Sequence, residues 1–436
     1  MRRSIIFLCI WMWATPVIVW AQAPSSGDTS ELIRSLLSRI EQLEKRVAEL
    51  ESHPTASPPS AAPAPVAQQE PAAPEQTAAM APKQEIAEPN IHTGHIGLPE
   101  MTVPSTHIAG FSDINFAATD LHNTHSGFNE GQFVLHLNSA LSSKVSFFGE
   151  LSLTARSDAG TGVPPATGFN VEVERSIIQF QANDYFKVSF GRYHTPINYW
   201  NMTFHHGQWL QTTASRPEMV QFGGSFLPIH FVGALVEGAL PAGGMNLNYN
   251  FGLGNGRSSV ISKAGDWGDI NNNRAWLVTL FSRPDRLYGL QFGGSVYRDM
   301  VTPVGAVFGG RAFHEWIESG HIVWRKENPE LIAEFSNVTH QEVGGSGQSN
   351  SQAWYVQAAY RLPLFERTWK PYYRFEYIHI PGSDRLFGSV LSLAGSTLGV
   401  RYDISSFAAL KFEYRNLRRP GEPRVNGAFA QTSFTF

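Results

Sequence analysis

Cysteine is all but missing from this chain: the one residue, Cys9, lies near the N-terminus. A disulfide scaffold is thereby excluded. Charge is scarce as well, at 16% of residues against roughly 25% in ordinary soluble domains. Neither sign dominates, with 33 Lys+Arg against 37 Asp+Glu, so the chain has no basic field to hold nucleic-acid phosphates. Beyond the N-terminal segment there is no run of about 20 apolar residues, which leaves no helix able to cross a bilayer. Glycine, by contrast, is plentiful at 39 residues, and aromatic rings make up 12% of the chain.

Residues 1–21 have the three parts of a secretory signal: Arg2-Arg3, an apolar stretch from Ile5 to Trp20, and small residues at the exit. Cleavage is expected after Ala21, because a cut after Ala23 would leave Pro24 beside the scissile bond. An uncleaved anchor is the alternative. Cys9 lies within the apolar stretch, followed by Ile-Trp-Met-Trp, which makes it a poor lipid-attachment site. The mature, exported chain is then expected to contain no cysteine.

Ile33, Leu36, Ile40, Leu43, Val47 and Leu50 follow alternating spacings of three and four, the seam of a coiled coil over residues 28–52. Asp28 and Glu31 stand where an N-cap and its reciprocal partner belong. A helix this short is marginal alone, so it is expected to associate with copies of itself. Ile or Val at a with Leu at d ordinarily favours two strands. The run Arg39-Ile40-Glu41-Gln42-Leu43-Glu44, however, resembles the short motif of trimeric coiled coils, which implies a trimer held in part by Arg39, Ile40, Leu43 and Glu44. Residues 53–104 form a linker, rich in Pro and Ala up to about residue 90 and expected to be disordered and extended.

From residue 105 the pattern changes to short stretches of period two. Val145, Phe147, Leu151 and Leu153 alternate with Ser146, Glu150, Ser152 and Thr154. Tyr249, Phe251 and Leu253 alternate with Asn248 and Asn250, and Leu410, Phe412 and Tyr414 with Lys411, Glu413 and Arg415. Each stretch approaches the ~10 residues that a tilted strand needs to cross a bilayer. The connections alternate between short turns near 141–144, 183–185, 240–244, 283–287, 326–330, 363–369 and 404–406 and long polar or Gly-rich loops between them. This rhythm predicts an all-β fold: an antiparallel transmembrane β-barrel of about 16 strands over 105–436, with both ends on the short-turn side. Closure is required because an open edge would leave backbone groups unpaired in lipid. A parity switch between Val173 and Ile178 predicts a bulge or a displaced boundary there. A soluble sandwich or solenoid would alternate likewise, but export without cysteine, clustered aromatics and the terminal Phe434-Thr435-Phe436 favour the barrel.

The stretches Gln132-Phe133-Val134-Leu135, Phe148-Gly149-Glu150-Leu151, Val171-Glu172-Val173-Glu174, Gly191-Arg192-Tyr193-His194-Thr195-Pro196-Ile197 and Arg216-Pro217 resemble outer-membrane porins of the phosphate-selective type. A coiled coil before a trimeric barrel is also similar to porins implicated in dicarboxylate uptake. The resemblance implies a homotrimer in the outer membrane, in contact with its lipid, with the N-terminal segment in the periplasm and small hydrophilic solutes passing through. A coiled coil standing in the periplasm is also a candidate for contact with peptidoglycan. A long Arg/Lys ladder, expected of a phosphate-specific channel, is not evident.

Parity assigns the lumen. Arg374, Glu376, Arg401, Asp403, Lys411, Glu413 and Arg415 are expected to line the pore on consecutive strands. They would orient dipolar solutes with a mild preference for anions, or pair across strands to stiffen the wall. The longest loop, 195–228, carries Tyr199, Trp200, Phe204, Trp209, Phe222 and Phe226, too many rings for a solvated loop. It is expected to fold inward as a constriction, with Tyr199, Trp200, Arg216 and Glu218 as its chief residues. Neither enzyme nor cofactor is expected, because His136 and Ser139 fall on opposite strand faces and no phosphate loop opens a helix. No metal site is expected either: His194, His205 and His206 should diverge, with no carboxylate or thiol to complete a set. The sequence thus predicts a passive channel for small hydrophilic solutes, with a plugged barrel serving as a membrane anchor or adhesin as the alternative.

Overall fold

The structure is a computed structural model that describes residues 104–155, 168–221, 226–305, 308–387 and 392–436. The expected signal peptide, the coiled-coil helix with Arg39, Ile40, Leu43 and Glu44, and nearly all of the linker lie outside the described residues. The described strands are β1 (Ser105–Thr119), β2 (Gly127–Ala140), β3 (Val145–Ala155), β4 (Phe169–Asn183), β5 (Phe186–His194), β6 (His230–Ala239), β7 (Leu247–Asn255) and β8 (Ala275–Ser282). They continue with β9 (Leu290–Val301), β10 (Phe313–Trp324), β11 (Glu330–Glu342), β12 (Gln348–Ala359), β13 (Trp369–His379), β14 (Leu393–Ser405), β15 (Ala408–Arg418) and β16 (Val425–Thr435). A short helix, α1 (Trp200–Phe204), interrupts the loop after β5.

Every strand pairs antiparallel with its sequence neighbour, and β1 pairs with β16 from Phe111 opposite Thr435 to Thr119 opposite Gly427. The sheet is a closed 16-strand barrel. Closure leaves no strand edge unpaired, where each orphaned backbone group in hydrocarbon would cost several kcal/mol. Phe436 seals the seam, its backbone N–H and C=O bonding Gly110 at 3.1 and 2.9 Å.

The alternation read from the sequence is an inside–outside alternation inverted relative to a soluble protein. On β12, Trp354 and Val356 are exposed, whereas Ser351, Ala353, Tyr355 and Gln357 are buried. On β15, Phe412 and Tyr414 are exposed outward while Lys411 and Glu413 are buried inward. Tyr185, Tyr288, Phe365 and Phe407, on four of the short turns, are also exposed. Rings at this level suit one interfacial girdle of a membrane barrel.

The parity switch is a bulge at Glu174. Glu150 pairs with Arg175 and Leu151 with Val173, so Glu174 is the extra residue. Val173 and Ile178 thereby both face outward at 50% and 47% exposure. Glu174 and Arg175 both face inward, where Ser152 donates to Glu174 at 2.7 Å and Arg175 donates to Glu150 at 2.5 Å. Opposite Ile177, just beyond the bulge, Gly191 has φ +145°, and a Cβ there would lie 1.8 Å from the Ser176 carbonyl oxygen. Only glycine lets β4 and β5 approach so closely.

Candidate functional site: a divided lumen

The loop 195–229 folds into the barrel and divides its interior. Its entry is fixed by Asn198, in the left-handed region at φ 62°, whose amide donates to Ser336 Oγ at 3.0 Å. The first turn of α1 then caps on a carboxylate from the far wall: the backbone N–H groups of Tyr199 and Trp200 both donate to Glu334 Oε1 at 2.7 Å. Tyr199 and Trp200 are buried with Ile197, Met219, Val220, Phe226 and Leu227 against inward residues such as Leu277, Tyr297, Ile317, Ala353 and Tyr355. Tyr199, Trp200, Phe204 and Phe226 therefore belong to an apolar core inside the barrel, not to a surface for solute.

Two further loops reinforce this core. Phe387 stacks on Phe226, with ring centroids 5.4 Å apart. Below it, Arg257 reaches Glu315 at 2.9 Å, His340 bridges Glu315 and Asp384 at 2.9 Å each, and Arg257 also donates to the Phe226 carbonyl at 2.8 Å. Burial works against ionisation of Asp384. Bonds from His340, Ser351 and the Phe387 N–H outweigh it and hold the carboxyl below its ordinary range.

The charges expected to line the pore mostly grip this loop. Arg374 is fully buried and donates to Ser215 O, Ser215 Oγ and Arg216 O at 2.9, 2.7 and 3.1 Å. Lys411 donates to Gln208 O and to Thr213 O, and Arg401 to Trp209 O at 2.7 Å and Gln211 O at 3.0 Å. Glu413 accepts the Ala214 and Ser215 N–H groups at 3.0 and 3.2 Å, and Glu376 accepts the Glu218 N–H at 2.7 Å. Asp403 holds Arg401 at 2.7 Å and Arg361 at 2.5 Å. Arg415, paired with Glu413 at 2.6 Å and stacked over Phe429, turns toward a remaining cavity.

That cavity, about 490 Å³, lies between the loop and the wall made by β1, β2, β3, β15 and β16. Its charged lining comprises Asp113 on β1 and Glu130 on β2, with Arg216 from the loop and Arg415 from β15. Asn115, Asn129, Gln132 and Gln431 supply neutral polar groups. Asp113 is already engaged, accepting from Asn115 Nδ2 at 2.6 Å and from the Gln132 N–H at 3.1 Å. Arg216 is buried and donates to His205 O at 2.7 Å. Burial pulls its pKa down to about 9, so the group is still cationic at neutral pH. Glu218 lies outside this lining; its carboxyl is 3.7 Å from Arg419, and burial followed by the neighbouring Glu376 charge pushes its pKa up.

A second polar cluster adjoins the cavity through Gln132. His194, His205, His206 and His230 each present a nitrogen within 4.8 Å of the others. The His205 and His206 rings do not diverge: their centroids are 4.4 Å apart, and Glu174 lies 3.2 Å from His206 and 2.9 Å from His230. The sequence reading missed His230 and Glu174 because a bulge and a strand pairing bring them in. It also missed Asp113, Glu130 and Gln132, whose inward parity was readable but which stand apart from the charged C-terminal run.

No protein-family model matches the sequence, and no curated protein is similar to it at the sequence level. Solved structures do match. An anion-selective porin from Comamonas acidovorans superposes with a TM-score of 0.54 at 14% identity, covering 77% of this chain and 100% of that one. The outer membrane channel DcaP of Acinetobacter baumannii gives 0.52 at 11% identity, covering 78% and 99%. OmpF of Salmonella typhi, solved with daunomycin, gives 0.52 at 11% identity, covering 76% and 97%. The chain has the fold of the 16-strand outer-membrane porins.

Proposed function

We propose that this chain is an outer-membrane porin through which small hydrophilic solutes diffuse down their gradients. The observation that carries the reading is the polar cavity left between the inward loop and the β15–β16–β1–β2–β3 wall, flanked by Asp113, Glu130, Arg216 and Arg415. Opposed charges across a narrow passage orient dipolar solutes and resist purely apolar ones. A mild anion preference is part of the proposal. Both Asp113 oxygens are engaged by hydrogen-bond donors, whereas the guanidinium of Arg415, held through Nε by Glu413, also borders the cavity. We further propose an exported homotrimer, with residues 28–52 as a periplasmic coiled coil holding three barrels in register.

Single-channel conductance in planar bilayers, with the reversal potential read under a KCl gradient, tests this. Stepwise openings in threes with a slight anion preference are the expected result. One observation favours a second reading: the apolar core and tethered loop fill much of the lumen. A silent but folded barrel would make the chain a plugged membrane anchor or adhesin.

A further inference from the structure

The histidine cluster lies outside the cavity's own lining, and the loop's anchorage does not need it. His194 closes β5 and His230 opens β6 directly opposite, while His205 and His206 follow α1. The loop's two ends are stitched together at the same level. Thr195 N–H donates to Ile229 O at 2.8 Å, and Asn201 Nδ2 donates to both Thr195 O and Ile229 O. The His205 ring centroid lies 4.1, 4.4 and 4.8 Å from those of His194, His206 and His230. His194, His205 and His206 are buried to 4% exposure or less. A water-filled channel gives no reason to gather four imidazoles into one dry corner.

We propose that His194, His205, His206 and His230 bind one divalent transition-metal ion of the Zn2+ or Cu2+ class, clamping the root of the inward loop to the barrel wall. Imidazole nitrogen is the donor such ions take in preference to carbonyl or water oxygen. Tetrahedral coordination at Zn–N of about 2.0–2.1 Å puts ligand nitrogens ~3.3 Å apart, so side chains whose nitrogens now lie within 4.8 Å of one another need only local adjustment to share one ion. One outer contact has the form that metal sites use. Gln132 Oε1 accepts from His206 Nδ1 at 3.2 Å, which turns Nε2 toward the cluster. Glu174, aimed inward by its bulge, faces the Nε2 atoms themselves, 3.2 Å from that of His206 and 2.9 Å from that of His230, so its carboxylate must move aside for the ion or join it as a ligand. Its negative charge offsets the cation's among otherwise neutral ligands. His206 and His230 must exchange their Nε2 contacts with Glu174 for the ion, His194 Nε2 lies 3.6 Å from Glu150, and His230 is the most constrained because Arg192 Nη2 also donates to its Nδ1 at 3.1 Å.

The test uses the full chain in detergent, stripped with chelator and titrated with CoCl2 and then ZnCl2. The expected result is saturable uptake of one Co2+ per protomer with the intense visible bands of tetrahedral coordination, displaced by Zn2+. H194Q and H205Q should each weaken Zn2+ binding by ~100-fold or more. E174Q, which removes a negative charge from beside the ligand nitrogens, should weaken binding roughly 10-fold or more, and H230Q should cost less than H194Q. Replacing exposed His122 and His125 should change nothing. Weak octahedral spectra, or no saturable uptake by the unmodified protein, would overturn the proposal without recourse to any variant. Undiminished binding in folded H194Q and H205Q would do the same. Neither result bears on whether the barrel conducts.

Discussion

Two halves of the same barrel wall face inward in different ways. Along β8 to β13 the inward positions mix apolar side chains such as Leu277, Ile317, Ala353 and Tyr355 with isolated carboxylates such as Glu315 and Glu334. Across the lumen, on β1, β2 and β16, they are mostly polar, with Asp113, Asn115, Gln132, Gln431 and Ser433 and only Val134 buried among them as an apolar residue. The first half is covered by loops and the second borders the cavity. Strand parity says only which way a side chain points. The chemistry of the inward set then decides whether water or protein meets it: an apolar inward face must be covered, and a mostly polar one can stay wet.

Arg374→Ala should break this contrast most severely. It removes four hydrogen bonds to Ser215, Arg216 and Thr213 and leaves the buried Glu376 without its ion-pair partner. Such a loss costs about 3–5 kcal/mol. The loop should come away from its wall, with larger conductance and new protease cleavage between 208 and 221 as readouts. Unchanged conductance would mean that the apolar core alone holds the loop. Phe387→Ala tests that core directly by deleting the ring stacked on Phe226. About 3 kcal/mol of packing should be lost, seen as a lower temperature for heat-induced migration on gels, with the cavity on the other side unaffected.

A third prediction is set by pH. Because the folded pKa of Asp384 lies below its ordinary value, its contribution is complete above about pH 4 and is lost as the pH falls toward the folded value. Hydrogen exchange in residues 381–387 should therefore accelerate on acidification below pH 4, whereas Asp384→Asn should already exchange fast at neutral pH and lack that step. Equal pH dependence in both proteins would mean that another carboxylate governs the segment.

The sequence carried most of the barrel. Turn chemistry and alternation placed the strands because register in a barrel is a period-two pattern with one face in lipid. Even the bulge at Glu174 was visible, as two outward residues an odd number of positions apart. The inward loop was visible through its surplus of rings, since Trp200 and Phe226 have no business in water. The partners were not. Arg374 and Lys411 on a lumen-facing strand read equally well as pore lining or as tethers, because the loop that takes their hydrogen bonds lies some 160 to 200 residues away in sequence. The histidines were invisible as a set for the same reason: His194 and His230 meet only because β5 and β6 pair, and Glu174 joins them through a bulge.

The smallest effect should come from the one charge of the C-terminal run that still faces the cavity. Arg415→Ala removes a guanidinium from the lumen and leaves Glu413 still bound by Tyr372 and by the loop's Ala214 and Ser215 N–H groups. Fold stability should fall less than in Arg374→Ala, because Glu413, fully buried beside an Arg415 that is only one-fifth exposed, keeps its neutral donors when the guanidinium goes. Selectivity should move instead. With Arg415 gone, Glu130 and Asp113 face Arg216 alone, so the reversal potential should shift toward cations while single-channel conductance rises slightly with the added width. Arg415→Lys separates charge from shape. A point charge at that position should restore the anion preference but lose the stacking on Phe429, which depends on a planar fork. If Arg415→Ala leaves the reversal potential unmoved, the filter must rest on Arg216, which the loop itself carries into the passage. The two halves of the barrel would then be coupled: the packed side would set the field on the wet side.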